Sequence, residues 1–336
     1  SGLARRAGIV DVPGSASHKL HAATTPLVGG PVLLIAVAMS YLALGSPPEQ
    51  PIIGVMLGGL FVVVWGTIDD RWGLSPVLKL LAQLVTAVIL IAFGVQVLVT
   101  RIPWFDLALS IVWVVGLMNA FNFVDSMDGL AVGLAIIAAG FFMLVTLDAQ
   151  QPTFAMLSAV LLGALLGMYY FNAMPAKVFL GDSGSQLLGF VLAAVGIAYS
   201  PAGAQLPQAL TWFTPILVLG VPIFDTTLVV FSRIRRRLPV YEAHQDHTYH
   251  RLISIGIAPP RSVLSMQFGA ILLSLVAFLA LSFSVLVANI VFGSIVLLGA
   301  LSIWYLDVIA KRELTPGTPK TTLRRESNEE TDGSHS

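Results

Sequence analysis

The chain of 336 residues has no cysteine, and only 11% of it is charged. Without thiols there are no disulfides, no thiolate metal sites and no cysteine nucleophile, although the redox compartment stays open. A soluble domain carries about 25% charged residues. A chain well under half that, with 56% hydrophobic residues and a mean hydropathy of +0.86, is solvated largely by lipid. Neither sign of charge is in excess: 18 Lys and Arg balance 18 Asp and Glu. Overall charge therefore points to no nucleic-acid partner. Period-2 alternation is lacking too, which disfavours a β-barrel, and no internal repeat is evident, which weighs against many transporter folds.

What is present is a series of apolar runs of spanning length. Ten spans are expected, at about 27–45, 51–68, 77–99, 106–122, 129–147, 154–172, 185–200, 208–232, 262–284 and 286–307. The predicted fold is all-α, a polytopic membrane protein of about ten transmembrane helices, with residues 1–310 as the membrane domain. Joints rich in Pro, Gly and Ser, such as Gly45-Ser46-Pro47-Pro48 and Ser200-Pro201-Ala202-Gly203, separate the spans. The polar segment 311–336 is expected to be a disordered cytoplasmic tail. The first residues, Ser1-Gly2-Leu3-Ala4-Arg5-Arg6, show neither methionine nor an apolar run. No signal peptide is read there; either an upstream segment is missing or the first loop lies on the membrane surface.

With the N-terminus cytoplasmic, every Lys and Arg except Arg101 falls on the cytoplasmic side, as the positive-inside rule requires. The same assignment gathers five polar stretches at the cytoplasmic face of the cell membrane. They are His18-Lys19-Leu20-His21, Asp69-Asp70, the run Asn119 to Gly129, Gly181-Asp182-Ser183-Gly184-Ser185, and His244 to His250. Charges beside bilayer are costly, so groups placed there usually serve a pathway or a reaction. One site assembled from several loops is the expectation.

Each stretch has a chemical and a structural reading. The Asp69-Asp70 pair needs a cation, a proton or a metal beside it; a solvated helix end with Arg71 as partner is the plainer account. Asn119, Asn122, Asp125 and Asp128 recur every three residues, one face of a helix if the fourth span extends so far. Such oxygens suit Mg²⁺ with its waters and a phosphate, whereas interhelical hydrogen bonding by Asn is the structural alternative. In Phe179-Leu180-Gly181-Asp182-Ser183-Gly184-Ser185, Asp182 is a candidate metal ligand, Phe179 a base-stacking group and Ser185 a helix cap. The structural reading is a capped turn. His244, His247 and His250 allow a zinc site by spacing, but pyrophosphate binding or proton donation fits the neighbouring acids better. Arg233, Arg235, Arg236 and Arg237 read mostly as snorkelling anchors. Lys19 and His21, ahead of Thr24-Thr25-Pro26-Leu27-Val28-Gly29-Gly30, suit an anionic ligand or simple anchoring.

In this order, the stretches resemble the polyprenyl-phosphate N-acetylhexosamine-1-phosphate transferase superfamily, over roughly residues 8–260. Asp246-His247-Thr248-Tyr249-His250-Arg251-Leu252 looks like the pattern of its GlcNAc-type members rather than the triple histidine of the phospho-MurNAc-pentapeptide translocase. The resemblance implies transfer of a sugar-1-phosphate from a UDP-N-acetylhexosamine, GlcNAc foremost, to undecaprenyl or another polyprenyl phosphate. UMP is released, with Mg²⁺ as cofactor (Mn²⁺ the alternative), at the start of cell-envelope glycan assembly. By motif position it assigns metal binding to Asp182 and Asn122, and catalytic roles to Asp69, Asp70, Asp125, Asp128, His247 and His250. It also places Phe179, Lys79 and Gln83 at substrate, and Lys19, His21, Asn119, Arg233 and His244 are further candidate substrate contacts from the residues themselves. Membrane lipid and a homodimer are the further partners implied.

Three departures stand out: Ser126 for the usual glycine, Leu27 for a polar residue after Thr-Pro, and ten spans where about eleven are usual. The rival readings are the pentapeptide transferase and, in a different class, a proton- or cation-coupled transporter. A transporter predicts polar groups deep in several spans, whereas stretches such as 84–95 and 284–301 are nearly all apolar. A membrane anchor for a partner complex leaves the acid clusters unexplained.

Overall fold

The computed structural model describes residues 10–11, 25–45, 47–100, 102–199, 212–239 and 246–313. Twelve helices make up almost all of it: α1 (Gly29–Ala43), α2 (Gln50–Trp72), α3 (Pro76–Ala92), α4 (Pro103–Val124), α5 (Leu130–Asp148), α6 (Pro152–Asn172), α7 (Gly181–Ala198), α8 (Thr214–Val218), α9 (Gly220–Arg236), α10 (Thr248–Ser254), α11 (Pro259–Ala280) and α12 (Val285–Glu313). Proline in the first turn opens α2, α3, α4, α6 and α11. Its fixed φ is preorganised there, and its missing N–H would have no intrahelical partner anyway. The all-α expectation holds apart from a two-residue ribbon in which β1 (Val10–Asp11) pairs antiparallel with β2 (Thr25–Pro26).

Among the described residues, seven helices are long and apolar enough to cross a membrane: α2, α4, α5, α6, α7, α11 and α12 through Val308. Ten spans are not confirmed. Helices α1 and α3 are apolar but only 15 and 17 residues long. The expected segment 208–232 is broken at Leu219 between α8 and α9, and α3 stops at Ala92, short of the expected 99. Helix α12 continues to Glu313, past the expected tail boundary at 310.

The least apolar of the seven, α7, is also the most buried, with 78% of its window inside the protein. It packs against α1, α2 and α4. Small residues let backbones approach closely where lipid offers no hydrophobic drive between helices. At Gly66 of α2 an added Cβ would lie 2.5 Å from the Ser183 Cα. This contact seats the first turn of α7 against the C-terminal half of α2. Because the chain alternates direction, the C-termini of α2 and α4 and the N-termini of α3, α5 and α7 meet at one end of the bundle. Asp69-Asp70, the run from Asn119 and Gly181–Ser185 converge there.

Candidate active site

The first turn of α7 is the centre of this end. Its backbone amides have no intrahelical acceptors, and a carboxylate from another helix supplies them. Asp70 Oδ1 accepts from Asp182 N at 2.6 Å, and Asp70 Oδ2 accepts from Ser183 N at 3.2 Å and Ser183 Oγ at 2.8 Å. Charge-assisted bonds at a helix N-terminus are strong and favoured by the helix dipole. The expected cap, Ser185, sits a turn later and donates back to Gly181 O at 2.9 Å. Ser185 is not the cap because the helix begins at Gly181, which places Ser185 already inside it. Gly181 itself has φ +69, and a Cβ there would come within 2.7 Å of the Asp70 oxygens.

With its backbone amide taken by Asp70, Asp182 turns its partly exposed side chain toward Lys79 of α3 and Asn122 of α4. Lys79 Nζ donates to Asp182 Oδ2 at 2.7 Å and lies 2.6 Å from Asp69 Oδ2. Asn122 Nδ2 donates to Asp182 Oδ1 at 2.8 Å and to Ser185 Oγ at 3.1 Å. Asp69 is buried, and its other oxygen accepts from Leu74 N at 2.7 Å, so the turn after α2 fixes it. Asp69, Lys79, Asn122 and Asp182 thus form one constellation drawn from four helices. The sequence alone brought these residues to one membrane face, but not into this contact.

Asn119, Asn122, Asp125 and Asp128 do not act as one row. Helix α4 ends at Val124, so Asp125 and Asp128 lie in the turn that follows. Asn119 points deeper, where it exchanges hydrogen bonds with Gln83 (2.8 and 3.2 Å), and Gln83 Nε2 also donates to Gln186 Oε1 at 2.8 Å. Gln83 and Gln186 are both buried. The three amides form a packed network beneath the charged cluster. Asp128 Oδ2 accepts from Ala176 N at 2.9 Å, tying this turn to the loop before α7. Phe179 in that loop is half-buried; its N–H donates to Pro26 O at 3.0 Å and its carbonyl accepts from Gly29 N at 3.2 Å.

Burial first, then the carboxylates of Asp182, Asp70 and Asp128, hold Asp125 well above the usual carboxylate range. A raised carboxyl keeps its proton in the folded state where the unfolded chain has lost it. Its contribution to stability therefore declines as pH rises from the ordinary carboxylate value toward the raised one. With no divalent cation added, the melting temperature in detergent should fall with pH across that window, and Asp125→Asn should flatten the fall. Parallel melting curves for the two proteins would refute the assignment.

A second cluster surrounds the histidine segment. Asp225, a buried acid of α9, accepts from Thr248 N at 2.6 Å and lies 2.8 Å from His247 Nδ1. A carboxylate at Nδ1 makes that nitrogen the donor and orients the ring. Arg233 grips Asp246 through two bonds of 2.8 Å. Two of its donor groups thus hold the segment's first acid, where the sequence placed a substrate contact. The Tyr249 ring stacks on His247 with centroids 6.0 Å apart and meets His250 at 3.9 Å. His247 also meets Phe123, next to Asn122, edge-on at 5.9 Å. Among the described residues no group of three or more His, Cys, Asp or Glu is arranged to hold a metal. Lys19, His21 and His244 lie outside the described residues.

Sequence reasoning passed over Asp225 and Gln186. Asp225 carried a usable signal, as a lone acid inside the apolar run 221–230. Gln186 had only its place directly after Gly181-Asp182-Ser183-Gly184-Ser185.

Residues 52–200 match the family described as glycosyl transferase family 4. A probable undecaprenyl-phosphate N-acetylglucosaminyl 1-phosphate transferase of Bacillus subtilis (strain 168) is 32% identical over 274 residues, covering 78% of this chain and 74% of the relative. A decaprenyl-phosphate N-acetylglucosaminephosphotransferase of Mycolicibacterium smegmatis is 33% identical over 299 residues, 78% of this chain and 73% of its own. A phospho-N-acetylmuramoyl-pentapeptide-transferase of Halalkalibacterium halodurans is 36% identical over 245 residues, 66% of this chain and 72% of its own. Likeness of this extent, on a helical membrane scaffold with its acids and amides gathered at one end, settles the kinship: the chain belongs to glycosyl transferase family 4, within the polyprenyl-phosphate N-acetylhexosamine-1-phosphate transferase superfamily.

Proposed function

We propose that the protein transfers N-acetylhexosamine-1-phosphate, GlcNAc-1-phosphate foremost, from a UDP-sugar to a polyprenyl phosphate and releases UMP. The observation that carries this reading is Lys79 held between Asp69 and Asp182, with Asn122 on the far side of Asp182. Both substrates are anions, so their meeting needs fixed cations and ordered positions. An acceptor phosphate oxygen forms a bond to the sugar-linked phosphorus, and the bond from that phosphorus to the UMP oxygen breaks. Lys79 is placed to hold the acceptor phosphate at the membrane edge of the cluster. Asp69 orients it; a phosphate monoester is already largely ionised at neutral pH, so positioning matters more than basicity. The His247 ring, oriented by Asp225, meets donor phosphate oxygens from the other side.

The candidate position for a magnesium ion is Asp182, with Asn122 beside it. Asp69 and Asp182 share the single ammonium of Lys79, while Asp70 caps α7 beside them and Asp125, pushed up first by burial, also feels the Asp182 and Asp70 charges. Hard oxygens from Asp182 and Asn122 would hold the ion, with water and substrate phosphates completing its shell. When bound, it would neutralise charge developing on the pyrophosphate. The position of Arg71, Lys79, Lys177 and Arg233 at the site's end of the bundle supports a cytoplasmic face, where UDP-sugars are found.

The test is UMP release by the purified protein in detergent with undecaprenyl phosphate and Mg²⁺, comparing UDP-GlcNAc, other UDP-N-acetylhexosamines and UDP-MurNAc-pentapeptide. Lipid- and metal-dependent UMP from UDP-GlcNAc is the expected result. Release from the pentapeptide donor alone would transfer the assignment to that branch, and silence with every donor from folded protein would overturn it.

A further inference from the structure

The last described helix, apolar enough to cross a membrane, is exposed along most of its length. Among the described side chains of α12, only Ala288 and Asp307 are buried. A buried acid on a lipid-facing helix is costly unless it is paired, and Asp307 is paired heavily. It accepts from Ser232 Oγ at 2.5 Å, forms an ion pair with Arg235, and reaches Arg236 at 3.4 Å. The chain of contacts continues inward. Ser232 Oγ accepts from Arg251 Nη2 at 2.9 Å, and Arg251 Nε donates to the Asp246 carbonyl at 3.1 Å. Asp246 is in turn gripped by Arg233, and the next residue is His247, seated on Asp225.

We infer that Asp307 is a positioning residue: through Ser232 and Arg251 it latches the last membrane helix to the segment 246–254 and holds His247 and His250 ready for the donor. The inference rests on the transferase reading for its kinetic consequences, but the latch itself does not. Two features favour a latch over a surface ion pair. Asp307, Ser232, Arg233 and Arg251 are all buried, so bulk water screens their interactions little. Burial and then Arg236 push the Arg251 guanidinium below its ordinary value, and Asp307 is foremost among the groups opposing that shift. Without Asp307, Ser232 loses its acceptor and Arg251 faces Arg236 with only the more weakly opposing Asp246 and Asp225 charges.

A loosened segment reduces the fraction of molecules competent to bind donor, which weakens apparent donor affinity by the same factor. Asp307→Ala should raise KM for the UDP-sugar on the order of 10-fold, leaving kcat at saturation and KM for the lipid acceptor within about 2-fold. Asp307→Asn keeps an acceptor for Ser232 but not the charge, and should fall between the two. Hydrogen–deuterium exchange should quicken in 246–254 while 50–72 and 181–198 stay unchanged. Unchanged exchange in 246–254 overturns the latch, as does a uniform fall in kcat with equal rises in both KM values. Exchange needs no turnover, so inactive wild-type protein would count against the transferase reading while the exchange result still decides the latch.

Discussion

Asp182→Asn should cut UMP release by about 10²–10³-fold, the cost of removing one preorganised electrostatic contact at a reacting centre. The side chain is shared between two donors, Lys79 Nζ at Oδ2 and Asn122 Nδ2 at Oδ1. An asparagine has one acceptor oxygen, so its amide nitrogen must face one of these donors and break that link. The charge that would hold a divalent cation is lost at the same time. The first turn of α7 should survive, because its cap is the Asp70 carboxylate on backbone amides, which the substitution leaves in place. The expected variant is therefore folded, close to wild type in melting temperature without added metal, and less stabilised by Mg²⁺. The checks are UMP release and melting curves with and without Mg²⁺. Activity within about 10-fold of wild type would reduce Asp182 to a helix-end contact.

Much of this was legible in the chain, for reasons that can be named. Apolar runs marked α2, α4, α6 and α11, because lipid leaves a spanning segment little choice but helix. The Lys and Arg asymmetry brought the polar stretches to one side. Spacing misled where a helix ended sooner than its pattern. Asn119, Asn122, Asp125 and Asp128 share a three-residue period, yet the helix stops at Val124, so the last two serve the following turn. Gln83 follows Lys79 by one turn, but it points into the Gln186–Asn119 network. The role of Asp70 was illegible, since nothing in an Asp-Asp pair says that one carboxylate caps a helix more than a hundred residues away while the other meets a lysine. Asp307 was hidden for a different reason: its partners come from α9, and pairing across helices leaves no local pattern.

Lys79→Met tests the other half of the cluster. Methionine keeps the length and apolar bulk of the stem and removes only the ammonium. Asp69, buried at the end of α2, would then confront Asp182 with no cation between them. Breaking a fully buried pair by removing one partner costs about 3–5 kcal/mol. The Lys79 side chain retains 32% of its exposure, so screening reduces the expected loss to about 1–3 kcal/mol. Turnover should fall further than stability does, by about 10²–10³-fold, because the cation proposed to meet the acceptor phosphate is gone. Divalent cation should then raise the melting temperature more in the variant than in wild type, since it would offset two carboxylates that have lost their counter-ion. Lys79→Arg restores the charge with a wider, planar head and should recover stability before activity. Melting curves with and without Mg²⁺, read beside UMP release, separate the two effects. If Lys79→Met melts with wild type and turns over normally, the ammonium is a bystander and the acceptor phosphate is held elsewhere.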